Sequence, residues 1–128
     1  MYEDYFKKLK ELGEDVPKIC KKIAKKGAIH FANEAKRITD NEGLVDTGNY
    51  KRNWSAEEKE PVKNTYAIDC ENSVDYASYL EYGTGRGIKG RFVGRQAMGD
   101  LEWYCLEQFE KEWEKAFKKH HQSFTKSP

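Results

Sequence analysis

The sequence has little cysteine, no long apolar run and almost no excess of one charge. Its three cysteines, Cys20, Cys70 and Cys105, lie far apart in the chain. Disulfide frameworks need paired cysteines, and metal sites need close spacings such as CxxC, so we expect buried, reduced thiols in a cytosolic compartment. No apolar run approaches the length of a membrane span, and the N-terminus lacks the pattern of a signal peptide. We therefore expect no membrane contact, and a protein that stays in the cytoplasm or in a particle assembled there.

The balance of charges excludes an overall attraction to nucleic acid. The chain has 23 lysines and arginines and 22 acidic residues, with a net charge of +1, so any such attraction must come from local patches. Its 128 residues are 38% hydrophobic and 13% aromatic, which is enough for one modest core. We therefore treat residues 1–128 as a single domain built around a few large side chains.

The motifs of common hydrolases and deaminases are also missing. No HExxH, GxSxG or PCxxC motif occurs. The best case for metal chemistry is a set of carboxylates of the kind that hold metal ions in nucleases, Glu57, Glu58, Glu60 and Asp69. Glu57 and Glu58 are consecutive and point to opposite faces of a strand, so we favour a solubilising role. We predict that the protein is not an enzyme and has no catalytic residue, cofactor or metal ion.

Helical spacing predicts two helices in the N-terminal third. A short amphipathic helix from Tyr2 to Leu12 is expected to end at Gly13. We assign residues 1–15 to this N-terminal helix and the turn that follows it. A second helix is expected to begin near Pro17, because proline is tolerated in a first turn. Its buried face is predicted from apolar residues at helical spacing, namely Ile19, Ile23, Gly27, Phe31, Ala35 and Ile38.

The other face of this second helix is basic. It is either a nucleic-acid-binding stripe or the solvated face that any amphipathic helix shows, and we favour the solvated face. The lysines concerned are Lys18, Lys21, Lys22, Lys25, Lys26 and Lys36. We interpret His30, on the same helix, as a partly buried structural histidine and not as a metal ligand.

Alternating side chains predict a small antiparallel hairpin. Its strands are expected at residues 54–56 and 65–70, with Tyr66, Ile68 and Cys70 on one face. A lone hairpin is only marginally stable in water, so long helices must cover it. The predicted fold class is α+β, in which a small antiparallel β-hairpin or short sheet, with at most a third short strand, packs against long N- and C-terminal helices.

The last helix is expected to run from about Phe92 or Val93 to Lys119, followed by a frayed tail at residues 120–128. It has two apolar sides. The first consists of Ala97, Leu101, Tyr104, Cys105 and Phe109, and the second of Trp103, Leu106, Trp113 and Phe117. One side is expected to face the hairpin. The other faces either the N-terminal helix or the next subunit, and the sequence leaves both alternatives open.

Residues 83–95, which we call the arm, alternate glycines with cations. No acidic residue lies between Glu81 and Asp100, and the preceding short helix is expected to stop at Tyr82 or Gly83. We predict a flexible, positively charged loop. Residues 85–90 satisfy the letters GxGxxG, but no strand is expected before them, so we disfavour a nucleotide-binding turn.

Two motifs give the chain a family resemblance. The first is VDYA at residues 74–77 with LEYGT at 80–84, followed by Phe92-Val93 and Ala97; the second is VDTGNYKRNW at 45–54. In this order they resemble the small neck proteins of long-tailed bacteriophages and prophages, called head-tail connector or tail-completion proteins. The resemblance implies a structural protein that joins head and tail as a homo-oligomeric ring around the DNA channel.

That resemblance also implies partners and a location. The partners would be further copies of the chain, phage portal or connector proteins, tail proteins and double-stranded DNA in the channel. The location would be the virion neck, and the host bacterial cytoplasm during assembly. Two alternatives from the residues themselves are a stand-alone nucleic-acid-binding module that uses the lysine face with the arm and, less favoured, a metal-dependent nuclease.

Contact residues are expected in two places. The cations of the arm are predicted to bind a neighbouring subunit or DNA phosphates, and three tyrosines are predicted to anchor the base of the arm. These residues are Arg86, Lys89, Arg91 and Arg95, with Tyr76, Tyr79 and Tyr82. Thr47 and Asn49 lie in a turn that either contacts a subunit or simply leads into the sheet.

Overall fold

Two long helices, two short helices and a small sheet are the regular elements of the described chain. The computed structural model describes residues 2–44, 48–59, 62–63, 65–85, 87 and 89–125. In chain order the elements are α1 (Tyr2–Asn41), α2 (Asn49–Arg52), β1 (Trp54–Glu58), β2 (Ile68–Asn72), α3 (Ala77–Tyr82) and α4 (Val93–Thr125). The predicted α+β class is confirmed. No helix of the described chain is long and apolar enough to cross a membrane.

α1 is one continuous helix of 40 residues, which corrects the prediction of two helices. The predicted N-terminal helix of residues 1–15 does not end at Gly13, and Pro17 lies inside α1. An interior proline removes one helical hydrogen bond and costs about 3 kcal/mol. Leu12 and Ile19, on either side of this region, are both buried in a helix that packs along α4. Tertiary packing therefore offsets the local cost.

α1 and α4 run antiparallel. Lys22 reaches Glu112, whereas His30, two turns later on α1, reaches Asp100 on an earlier turn of α4. The Lys22 ammonium donates a hydrogen bond of 3.1 Å and so lowers the pKa of the Glu112 carboxyl. These contacts show which turns of the two helices lie side by side.

β1 and β2 form a two-stranded antiparallel sheet, as predicted. Its register pairs Trp54 with Asn72 and Glu58 with Ile68, so the strand bounds of 54–56 and 65–70 require correction. The polar end of β2 is held by Asn72, whose amide donates to the Tyr50 carbonyl and whose side-chain oxygen accepts from the Val74 N–H. The contact with Tyr50 joins residues that are distant in sequence, and such a contact does not appear in a local alternation pattern.

The core lies where α1, the sheet and α4 meet. Phe31 is almost fully buried, and its ring meets Trp54 edge-on with centroids 5.9 Å apart. The Trp54 indole N–H donates to the Thr39 hydroxyl at 3.0 Å, and that hydroxyl donates to the Ala35 carbonyl at 2.7 Å. A buried polar pair is thereby satisfied inside an apolar cluster.

α3 ends at Tyr82, one of the two predicted end positions, with Gly83 at a φ of 82°. The base of the arm returns to this helix, because the Arg91 N–H donates to the Leu80 carbonyl and the Phe92 N–H donates to the Glu81 carbonyl. Gly90 packs so closely that a Cβ there would lie 2.6 Å from the backbone carbon of Tyr82. The arm is therefore held at both ends, and the flexibility of its tip stays a prediction.

α4 begins at Val93, which confirms the predicted start and corrects the extent of the arm. The last three residues of the arm, 93–95, form the first turn of this helix. α4 continues to Thr125 and not only to Lys119, so the predicted frayed tail of 120–128 begins inside a helix. Residues 126–128 lie outside the described chain.

Candidate functional site

An apolar surface remains on α4 after the fold is formed. We define the α4 apolar surface as Trp103, Leu106 and Trp113 of the second apolar side, together with Phe109, which borders them from the first side. Trp103 is 77% and Leu106 is 61% exposed, while Phe109 and Trp113 are half-buried and stack with ring centroids 6.2 Å apart. Exposed neighbouring groups of this size mark interaction surfaces.

The fold decides which side of α4 is internal. Ala97 and Leu101 are buried in a core cluster that contains both Phe31 of α1 and Trp54 of the sheet. The hairpin and the N-terminal helix therefore share the first apolar side of α4. The described chain leaves Trp103 and Leu106 of the second side largely exposed, which favours the alternative of an external partner for that side.

An apolar groove of about 530 Å³ adjoins the α4 apolar surface. α1, the hairpin and α4 each contribute to it, and one charged side chain takes part. Its lining residues are Cys20, Ile23, Ala24, Tyr66, Ile68, Glu102, Cys105, Leu106 and Phe109. A protein partner that covers this area would desolvate few charges, as in the central part of a subunit interface.

A second groove follows the outer side of β2, and we call it the edge groove. Its volume is about 750 Å³, and all of Ile68–Asn72 lines it. α3 contributes Glu81 and Tyr82, and the start of α4 contributes Arg95 and Met98. Phe31 and Trp54 also line this groove, so it reaches the apolar core.

The predicted contact cations lie around the base of the arm. Lys89 forms a single backbone bridge with Gly83. Arg91 makes an ion pair of 3.2 Å with Glu42 beyond the end of α1. Arg95 belongs to α4, and its guanidinium lies 5.5 Å from the centroid of the Phe92 ring. All three side chains are exposed, while Arg86 lies outside the described residues.

The three predicted tyrosines occupy different environments. Tyr82 is 74% exposed and meets Phe92 edge-on at the base of the arm. Tyr76 lies 6.4 Å from the Tyr50 ring between centroids. Tyr79 is exposed on α3. The structure brings Tyr82 to the arm, while a contact role for any of the three stays a prediction.

The turn before α2 is described only in part. Gly48 has a φ of 71°, as turn chemistry requires. Asn49 is exposed at the start of α2, and its carbonyl and side-chain oxygens accept hydrogen bonds from the Asn53 amide. Thr47 lies outside the described residues. A subunit contact at this turn stays a prediction.

The lysine face of α1 is partly neutralised by the fold. Lys22 and Lys26 pair with Glu112 at 3.1 and 3.9 Å, and Lys25 lies 4.0 Å from Glu58. A phosphate-binding stripe needs cations that are free to replace the counterions of the nucleic acid. These pairs favour the solvated face over the nucleic-acid stripe.

One group of metal-type ligands occurs in the described part of the chain: His30, Glu34 and Asp100, whose ligand atoms lie within 4.8 Å of one another. His30 is half-buried, as predicted, and stacks on Tyr104 at 3.9 Å between centroids. Its Nε2 lies 2.5 Å from an Asp100 oxygen, and the Arg37 guanidinium donates to both Glu34 oxygens. The ligands are already engaged, and the absence of a metal ion stays a prediction.

The thiols are free and half-buried in the structure. Burial raises the pKa of Cys70 to about 11, with the nearby Asp69 carboxylate acting in the same direction. Burial also raises the pKa of Cys105. A raised pKa keeps the reactive thiolate scarce at Cys70 and Cys105, so burial should slow the reaction of these two thiols with electrophiles.

Alkylation should show this protection directly. At about pH 8 we expect iodoacetamide to modify Cys70 about a hundredfold more slowly in the folded protein than in urea, because the thiolate fraction falls with the higher pKa. Mass spectrometry of tryptic peptides after timed quenching measures the rate at each cysteine. Equal rates for Cys70 with and without urea would contradict the expectation.

Glu81 has a role that the sequence analysis missed. Its two carboxylate oxygens accept the backbone N–H groups of Gly94 and Arg95 at 2.7 and 2.9 Å. A carboxylate at this end of a helix also interacts favourably with the helix dipole. Glu81 therefore joins α3 to the first turn of α4. Its separation in sequence from that turn hid this function, although it lies within the LEYGT motif.

Comparison with known protein families identifies the family to which the chain belongs. The family model described as "Bacteriophage HK97-gp10, putative tail-component" matches residues 3–83. The chain belongs to this family. Membership of this family of phage tail components confirms the resemblance to phage proteins. The matched residues extend from α1 to the end of α3. The searches of curated proteins and of solved structures returned no match. Most of the arm and all of α4 follow the matched residues.

Proposed function

We propose that this phage tail component is a neck protein that joins the head to the tail. In this proposal it assembles as a homo-oligomeric ring around the DNA channel, in contact with the portal or connector on one side and with tail proteins on the other. It acts in the neck of a phage or prophage virion after assembly in the host cytoplasm. The role is structural and needs no catalytic step, cofactor or metal ion.

The observation that carries this proposal is the α4 apolar surface with its adjoining groove. Trp103 and Leu106 remain largely exposed although the described chain buries a core of its own. Aromatic residues are enriched in subunit interfaces, where they exclude water from the contact. A second copy or another phage protein that covers this surface would bury it.

The ring follows from symmetry once such a contact joins two different surfaces of the chain. Contacts between unlike patches propagate head to tail, and they close into a ring when the rotation between neighbours permits. The long helices offer a surface for such a contact. The basic arm would attract acidic protein surfaces or DNA phosphates.

The proposal is tested by the mass of the assembly. We expect the wild-type chain, alone or mixed with phage portal and tail proteins, to form a closed oligomer in native mass spectrometry. Leu106→Asp is expected to weaken that assembly at least about tenfold, because a carboxylate would be desolvated in an apolar contact. A wild-type chain that stays monomeric in every mixture would refute the ring.

A matched variant distinguishes an interface effect from a general effect of surface charge. Ile29 is 66% exposed on α1 and does not line the apolar groove. Ile29→Asp makes the same kind of change to a similarly exposed side chain. We expect it to assemble like the wild type and to keep its thermal midpoint. Equal losses for both variants would contradict a specific role for the α4 apolar surface.

A further inference from the structure

The edge groove contains the unpaired edge of β2. In antiparallel pairs, residues that exchange backbone hydrogen bonds alternate with residues whose N–H and C=O groups point away from the partner strand. The Lys59 N–H donates to the Ala67 carbonyl at 2.8 Å, which places that pair in the hydrogen-bonded class. By alternation, the backbone groups of Ile68, Cys70 and Asn72 point away from β1.

No backbone group in the described chain pairs with this outward row. The sheet has two strands, and its backbone hydrogen bonds outside the strands involve other residues. The Ile68 carbonyl has one weak contact of 3.9 Å from the Cys70 thiol. A row of free donors and acceptors beside a long groove is a template for an added strand.

We propose that the edge groove binds the arm of a second copy of the chain as an added β-strand. The inference rests on the proposed function, because it identifies one head-to-tail contact of the homo-oligomer. The same-chain arm does not supply this strand. Its base is hydrogen-bonded to Leu80 and Glu81 of α3. Phe92 of this base lines the groove, but neither Lys89 nor Arg91 does.

The charges of the edge groove and of the arm are complementary, which supports the arm of a second copy as the added strand. Among the charged residues that line the edge groove, Asp69, Glu71 and Glu81 are acidic and Arg95 is basic. Asp69 and Glu71 are exposed and lie two residues apart on one face of β2. Lys89 and Arg91 are likewise two residues apart in the arm. In an added strand both cations would share a face with both carboxylates, and opposite charges across strands are stabilising.

The ion pairs that these charged side chains already make do not prevent them from pairing with a second copy. Lys59 lies 3.3 Å from Asp69, and Arg91 lies 3.2 Å from Glu42. The side chains of Lys59, Asp69 and Arg91 are about half exposed or more, and such surface pairs contribute little to stability. The glycines of the arm have no side chain to obstruct a close backbone approach to β2.

The outward backbone groups of β2 could instead pair with the same groups of a second copy, about a two-fold axis. An antiparallel pair centred on Cys70 would set Asp69 of each copy opposite Glu71 of the other. Like charges directly opposite are destabilising. The acidic edge therefore favours a basic strand over its own copy, and this asymmetric contact is of the kind that closes rings.

A peptide with the sequence of residues 83–92 tests the groove without relying on assembly. Titrated into the full chain with a fluorescent label, it should bind at low salt and weaken at least about tenfold between about 50 and about 500 mM NaCl. The variant Asp69→Lys with Glu71→Lys should weaken binding by at least about tenfold at low salt. Glu110→Lys, an exposed change elsewhere on α4, should leave binding unchanged.

A charge exchange tests the contact between whole chains. One variant carries Asp69→Lys and Glu71→Lys, and the other carries Lys89→Glu and Arg91→Glu. Each alone should assemble at least about tenfold more weakly than the wild type, and the mixture should restore assembly, because both of its arm–groove contacts again join opposite charges. All altered side chains are exposed, so circular dichroism should show intact folds.

The outcomes separate this inference from the proposed function. If the peptide fails to bind, or if the mixture is no better than either variant, the inference is wrong. A wild-type ring that persists in both charge variants would also refute the inference while the proposed function stands. If the chain stays monomeric in every mixture but binds the peptide with the expected charge dependence, the ring is refuted and the groove is supported.

Discussion

Phe31→Ala should lower the free energy of unfolding by about 3–5 kcal/mol, the range for removing a large buried aromatic side chain. Phe31 is 1% exposed and contacts Trp54 at the junction of α1, the sheet and α4. The lost stability has two parts. The variant no longer gains the free energy of moving the ring from water into the core on folding, and a cavity remains where the ring was. Urea titration followed by tryptophan fluorescence measures it, since the change lies beside Trp54.

Ile29→Ala is the matched control for this prediction. Ile29 lies two residues earlier on the same helix but is 66% exposed. Both substitutions replace a large side chain by alanine, which is the stronger helix former. We expect the Ile29 variant to change the free energy of unfolding by less than about 0.5 kcal/mol. A Phe31 variant as stable as this control would show that the assigned core is wrong.

Gly90→Ala is expected to lower the free energy of unfolding by about 1–3 kcal/mol, the usual range for overpacking. A Cβ at this position would lie 2.6 Å from the Tyr82 carbon and 2.7 Å from the Glu81 oxygen. These are backbone atoms, so they cannot move aside as the end of a flexible side chain does. The substitution should separate the arm from α3 and weaken the bonds from Arg91 and Phe92.

Gly85→Ala is the control within the arm, because nothing lies within 4 Å of a Cβ there. Its thermal midpoint should match that of the wild type or rise slightly. Hydrogen exchange provides the local measurement: the amides of Arg91 and Phe92 should exchange at least about tenfold faster in the Gly90 variant only. Unchanged protection in that variant would contradict the close contact at the base of the arm.

The position of the arm explains how these effects relate to function. Glu81 binds the first turn of α4, and Gly90 holds the returning chain against α3. The LEYGT motif therefore maintains the base from which the arm emerges, beside the edge groove. A substitution at this base should change the geometry of the arm but not its charge. Gly90→Ala therefore separates the effect of arm geometry from the effect of charge that the other variants measure.

The candidate surfaces were predictable to different degrees. The cationic character of the arm is visible in sequence, because it needs only the absence of acidic residues over a short stretch. The edge groove was not predictable, because it requires the register that pairs Trp54 with Asn72 and the position of α3 beside β2. The second apolar side of α4 was visible as a pattern, while its exposure depends on where α1 lies.

The sequence by itself determined the local structure of this phage tail component. Helical spacing predicted the long helices, alternation predicted an antiparallel hairpin, and the glycine at position 83 predicted the end of α3 at Tyr82 or Gly83, which the structure places at Tyr82. Ordered motifs also indicated the phage family. These features depend on residues close together in the chain, where backbone sterics and side-chain periodicity act directly.

Only the tertiary structure decided the rest. It carried α1 through Gly13 and Pro17, joined Glu81 to the start of α4, and left Trp103 and Leu106 exposed beside an apolar groove. Each of these outcomes depends on atoms distant in sequence, whose packing and hydrogen bonds outweigh local preferences of about 1–3 kcal/mol. Long-range contacts therefore decided the surfaces on which function is proposed.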